Sequence, residues 1–223
     1  MPSQDATALY LLKLWPRIEA SKYRIAAAAA VVVIAVFLFW YFSMESQQKE
    51  IAAGRALTVL VTNPHAGPDA YFALDQAYPG TVAGQRAFLG GAELLFVQND
   101  FTNAQARFQQ FLDNHPESQF STQAKLGVAA CEEAEGQTQM AIGSYQGIVN
   151  SSAEISAANP ANFALAELYE NAGRLNDALQ HYMEVAQSDQ SGALGVQATL
   201  HYLDFKNQVP PAALSAPAFQ FHQ

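Results

Sequence analysis

Cysteine is nearly missing from this 223-residue chain. Cys131 stands alone, so no intramolecular disulfide can form in any redox compartment. Within a predicted helix and beside Ala129 and Ala130, it reads as a small buried side chain rather than a reactive thiol. Charge is also scarce, at 14% of residues, and positive charge is scarcest, with 11 Lys and Arg against 20 Asp and Glu. That shortage removes the basic surface a phosphate backbone requires, so nucleic acid is not an expected partner. Catalytic and metal patterns are missing as well. The five histidines (His65, His115, His181, His201, His222) form no i,i+4 pair and no HExxH, so no metal site is expected. No glycine-rich phosphate loop follows a strand, no strand stands out, and no G-x-S-x-G elbow occurs. Glu132, Glu133 and Glu135 read as a solvated charge run. The chain is expected to be neither an enzyme nor a cofactor binder.

What the sequence does hold begins with one apolar run. The nineteen residues 25–43 carry no charge and show no polar face. As a helix they reach about 28 Å, close to the hydrocarbon thickness of a bilayer. Trp40 and Tyr41 mark one interface, and Tyr23 with Arg24 the other. The run ends in bulky rings rather than small residues, which argues against signal cleavage, and no cysteine follows to carry a lipid. The expectation is an uncleaved single-pass anchor. Residues 1–24 form a basic tail with four cations and two anions, whereas residues 44–223 carry seven cations and eighteen anions. Flanking positive charge therefore places the N-terminus in the cytoplasm and the acidic remainder across the membrane. Residues 6–15 suggest a short interfacial helix ending before Pro16. Residues 44–81 form a membrane-proximal helical segment: one helix over 44–62, broken at Asn63-Pro64, and a second from Asp69 to Ala77.

From Val82 a spacing of 37 residues takes over. Ala104, Ala141 and Ala178 are each followed four residues later by a ring, Phe108, Tyr145 and Tyr182. Ala92, Ala129 and Ala166 lie twelve residues upstream, and Phe111, Ile148 and Val185 seven downstream. Small residues recur where helices must approach closely, and rings fill the space beside them. Stacked helical hairpins have this pattern, because one hairpin cannot bury its apolar face alone. The turns Gln98-Asn99-Asp100, Glu135-Gly136-Gln137 and Ala172-Gly173-Arg174 place Asn or Gly where a positive φ is needed. Pro116 closes the first hairpin, and Asn159-Pro160 opens the third as a helix start. Residues 192–206 read as a capping helix with Leu200 and Leu203 in phase with Phe163 and Ala166. The fold class is thus all-α: a single N-terminal transmembrane helix, then an α-solenoid over 82–206. Residues 207–223 form a Pro- and Ala-rich mobile tail.

The hairpins resemble tetratricopeptide repeats. The third fits best, through Leu165, Ala166, Tyr169, Gly173, Ala178 and Tyr182; the first gives Phe88, Ala92, Leu95, Ala104, Phe108 and Pro116. In the second, Lys125 and Glu132 occupy positions that are apolar in most repeats. The whole layout, with its basic tail, single span and acidic repeat domain, resembles the bacterial YfgM-type family, ancillary subunits of the SecYEG translocon. That resemblance implies an inner-membrane location with the repeats in the periplasm. It also implies partners among translocon subunits, periplasmic chaperones or newly exported chains. Two other readings remain open: a structural or assembly subunit of another envelope complex, and an organelle import receptor of reversed topology.

The candidate site is a groove. Leu89, Glu93, Phe96 and Val97 follow a helical rhythm on one face of the first hairpin. Shifting by 37 adds Leu126, Ala130, Glu133 and Ala134, then Phe163, Glu167, Glu170 and Asn171. Such a surface combines acidic and apolar groups and lacks the cations that would grip a terminal carboxylate. It suits apolar, neutral-to-basic segments.

Overall fold

The computed structural model describes residues 4–151, 155–206 and 208, with side chains from Ala27 onward except those of 28, 29, 42, 155 and 156. Among these residues every regular element is an α-helix. The chain divides into two compact units, 1–55 and 56–223.

Helix α1 (Gln4–Val61) forms the first unit through residue 55, and its last turns, 56–61, belong to the second. The expected break before Pro16 does not occur, and the apolar run and the helix after it are one element. One helix with Pro16 inside it corrects the expectation of separate interfacial, spanning and post-membrane pieces. By length and composition α1 is long and apolar enough to cross a membrane. From Val31 to Tyr41 its large apolar side chains are all exposed, Trp40 at 58% and Tyr41 at 55%. Tyr23, Arg24 and the expected tail 207–223, except Gln208, fall outside the described side chains. The helix stops at Val61, just ahead of Asn63-Pro64, as pre-proline sterics dictate.

In the second unit, α2 (Pro68–Ala77) begins with proline at its first position, where no N–H is needed. Then come α3 (Val82–Val97), α4 (Phe101–Asn114), α5 (Ser121–Ala134), α6 (Thr138–Ser151), α7 (Ile155–Asn171), α8 (Leu175–Ser188) and α9 (Ala193–Lys206). Each helix packs mainly on the one before and the one after it. Asn99, Gly136 and Gly173, each 37 residues from the next, have φ of 64°, 75° and 72°. Behind each, the same two bonds close the helix: for Gly136, its N–H donates to Glu133 O at 2.9 Å and Gln137 N–H to Glu132 O at 2.8 Å. These are left-handed C-caps, and they return the chain antiparallel at the same place in every repeat.

The small-and-ring pattern forms the core. Ala92, Ala104, Ala129, Ala141 and Ala166 are fully buried, Ala178 is 1% exposed, and Phe108, Tyr145 and Tyr182 are buried beside them. Between repeats a ring lies on the next helix at a position with a small side chain. A Cβ on Gly127 would stand 2.6 Å from the Phe108 ring, and one on Gly90 would stand 3.2 Å from Tyr71. The pair Tyr71–Gly90 precedes Phe108–Gly127 by 37, so α2 packs on α3 in the register of α4 on α5. The last member of the series is Tyr182 stacked on His201 of α9, centroids 4.8 Å apart.

Three expectations need correction. Helix α7 starts at Ile155, so Pro160 lies inside it rather than at its first position. Pro160 faces solvent, and the cost is one missing helical hydrogen bond. Leu200 and Leu203 are 63% and 53% exposed, although their counterparts Phe163 and Ala166 are buried. On α7 that face is covered by α8; on α9 no described helix follows, and burial falls instead on Gly195 and Ala198. Glu132 is 5% exposed rather than solvated. Ser144 Oγ donates to it at 2.7 Å, which satisfies the carboxylate in place of water.

Candidate protein-binding groove

One stripe along helix α3 carries Arg86, Leu89, Gly90, Glu93, Leu94 and Val97, with Leu89 buried at its base and Arg86, Glu93 and Val97 exposed. The stripe walls a cavity of about 460 Å³. Leu57 and Val61, Tyr71 of α2, and Phe120 with Gln123 at the start of α5 complete the lining. Val97 is 72% exposed and Val61 62%, so part of this apolar lining is open to solvent. Gln123 Nε2 donates to Glu93 Oε1 at 2.6 Å and ties α5 to α3 across the floor. Among the described residues Arg86 has no ion-pair partner.

Of the residues expected to line the groove, Leu89, Glu93 and Val97 meet in this cavity. Leu89 is only 1% exposed, so it forms the floor rather than a contact surface. Phe96 is half-buried, with its ring edge-on to Phe101 at 5.2 Å. Leu126 is half-buried against the core cluster that includes Ala129, Ala141 and Phe163. Phe163 is 7% exposed and packs against Tyr182 at 5.5 Å, inside the last hairpin. It is a core residue, because α8 covers the face that the periodicity assigned to solvent.

The remaining acids fall together. Tyr145 Oη donates to Glu133 at 3.0 Å, and Tyr182 Oη donates to Glu170 at 2.7 Å. Burial, reinforced by the adjacent carboxylates, pushes both phenols well above their ordinary range, so each remains a donor. His201 Nδ1 lies 3.4 Å from the same Glu170 carboxylate. Burial also raises the Glu167 carboxyl; Glu133 and Glu170 raise it further, and His201 opposes them. Glu133 on α5 and Glu167 and Glu170 on α7 therefore share one electrostatic neighbourhood. Cys131 is fully buried, and burial with Glu135 and Glu132 pushes its thiol up to about 11, so it is no nucleophile. Among the described residues no group of three His, Cys, Asp or Glu is arranged to hold a metal ion.

Two features escaped the sequence reading. Arg86 supplies a cation to a surface expected to have none. Its shifts by 37 are Gln123 and Pro160, so no repeat signal marked it. The Tyr–Glu bonds were legible in principle, since Glu133 and Glu170 each stand twelve residues before the tyrosine that binds them.

No curated protein matches this sequence. Among solved structures, a tetratricopeptide repeat protein from Parabacteroides merdae ATCC 43184 is similar in fold, with a TM-score of 0.53 at 12% sequence identity. The likeness covers 72% of this chain and 61% of that one, so the chain spans about three-fifths of that protein's length. The tetratricopeptide repeat-like domain family matches residues 20–152, more than half of the sequence, and reaches from within α1 to the end of α6. On that match, and on a helical stack whose caps and core repeat every 37 residues, the chain belongs to the tetratricopeptide repeat-like domain family.

Proposed function

We propose that this chain holds protein partners beside a membrane, as an ancillary factor at a protein export channel that contacts chaperones or newly exported chains. Folds of this family typically serve as protein-binding scaffolds. The observation that carries the reading is the cavity on α3, where the exposed Val97 of α3 and Val61 of α1 meet Glu93 and Arg86. That mixture suits an extended or helical segment of another protein. The membrane part of the reading draws on the apolar stretch of α1 and on the excess of cations before it. In this reading the N-terminus is cytoplasmic, the span lies in an inner membrane and the repeats are periplasmic. Tethering then raises the effective concentration of weak partners without any further contact.

A second reading, a subunit of another envelope assembly, draws on the far end of the stack. Val196, Leu200 and Leu203 form an exposed apolar stripe there, of a kind that assembly interfaces cover. Photocrosslinking in cells separates the two, with the reactive residue at Phe96 or Glu167 for the groove and at Leu200 for the end face. Adducts from Phe96 and Glu167 to channel subunits, chaperones or exported chains support the export reading. Adducts only from Leu200, to a different envelope complex, overturn it in favour of the assembly reading.

A further inference from the structure

Charge along the α3–α5–α7 face is not uniform. At one end Arg86 stands on the cavity wall without an anionic partner among the described residues, and Glu93, two turns away, is engaged by Gln123. Further along the same face, by the 37-residue register, lie Glu133, Glu167 and Glu170. Two of these carboxylates already accept from tyrosines, and among the described residues no Lys or Arg pairs with any of the three. A ligand carrying only cations would leave Arg86 repelled at its end of the groove. A ligand carrying only anions would meet the acidic cluster at the other.

We propose that the groove takes a bipolar protein segment, with an acidic residue seated at Arg86, apolar side chains filling the cavity beside α3, and a basic residue against Glu133, Glu167 and Glu170. This rests on the protein-binding reading given above and adds polarity to it. At about 460 Å³ the cavity lies toward the small end of ligand pockets, so the hydrophobic share of recognition is small and charge decides the preference. The excess of acids over bases in the repeats further favours segments whose net charge is positive, with the one acid placed where the local cation is.

The test uses full-length protein in detergent micelles and short fluorescent peptides with a Leu/Val core, flanked by Glu and Lys, by Lys on both sides, or by Glu on both sides. Binding is read by anisotropy. Expected is tightest binding of the Glu–core–Lys peptide, by about tenfold over Lys–core–Lys, the scale of one favourable charge pair replaced by a repulsive one. Arg86→Glu should reverse that order, and as Arg86 is exposed the variant should retain its helical circular dichroism. Glu133→Gln with Glu167→Gln should weaken Glu–core–Lys but not Glu–core–Glu. If peptides bind and compete with one another yet ignore Arg86→Glu, the groove reading survives and the bipolar assignment is overturned. If no peptide binds, the groove reading falls with it.

Discussion

Gly127 offers a direct test of how the repeats are joined. Alanine is the better helix former by about 1 kcal/mol, so in an open helical position Gly→Ala should stabilise. Gly143, in the middle of α6, has nothing within 4 Å of an added Cβ. Gly143→Ala should therefore raise the thermal midpoint by roughly 2–4 °C for a domain of this size. Gly127→Ala gains the same propensity, but its methyl would stand 2.6 Å from two carbons of the Phe108 ring and 2.7 Å from a third. That ring is 2% exposed within a core cluster that includes Ala92, Ala104 and Phe111, so it has no empty space to move into. Overpacking of this kind costs about 1–3 kcal/mol, which cancels or exceeds the propensity gain. Far-UV circular dichroism melts of the detergent-solubilised chain should place Gly127→Ala below Gly143→Ala by roughly that difference. Trimming the ring in a Phe108→Leu background should reduce the penalty, giving a non-additive cycle. Equal midpoints for the two alanine variants, or an identical cost in both backgrounds, would show that ring-on-glycine contact is not what sets the α4–α5 spacing.

Gly136→Ala should destabilise by about 1 kcal/mol, because φ of 75° puts a Cβ in the left-handed region; urea titration checks it. Cys131 should react with a thiol reagent only once denaturant is added, since it is fully exposed only after unfolding and its thiol is held at about 11 in the fold. The raised Glu167 carboxyl means that the folded chain binds this proton more tightly than the unfolded chain. Its contribution is present below the ordinary value of 4.5 and lost as pH rises through the folded value. Glu167→Gln should consequently raise the melting midpoint at pH 7, with the advantage vanishing in acid; an advantage that grows in acid would contradict the sign. His181 is shifted the other way, chiefly by burial, so its NMR titration midpoint should fall below 6.5 and acid should loosen the Asn162–His181 contact.

Much of the repeat architecture was legible because caps and close contacts tolerate few residue types. Asn99, Gly136 and Gly173 had to supply positive φ, and the alanines had to be small, so both appear in the sequence at a fixed interval. Burial at the ends of the stack was not legible. Periodicity treats Phe163 and Leu200 as equivalent, yet one is covered by α8 and the other faces solvent. The groove was legible only in part. Repeats mark what is common to every hairpin, and Arg86 is present in just one. Helix α2 was assigned to the membrane-proximal segment because the turn after Asn63-Pro64 is longer than its counterparts, which hides the alignment of Tyr71 and Leu74 with Phe108 and Phe111. Along α1 the composition foretold a helix but not its continuity, since Pro16 removes one hydrogen bond without forcing an end.

The interior is divided into two clusters that meet along α5: Ala124 and Cys131 belong to the N-terminal one, Ala129 to the C-terminal one. Among the described residues, α5 with its small buried side chains is thus the helix that couples them. Such a molecule opens in halves below its melting point. Amide exchange should report two free energies of opening, with α8 and α9 exchanging independently of α3 and α4, and α5 protected by whichever half stays closed. A partner that grips both halves at once would fuse them into a single cooperative block, so ligand binding should be visible as a merging of two protection classes into one.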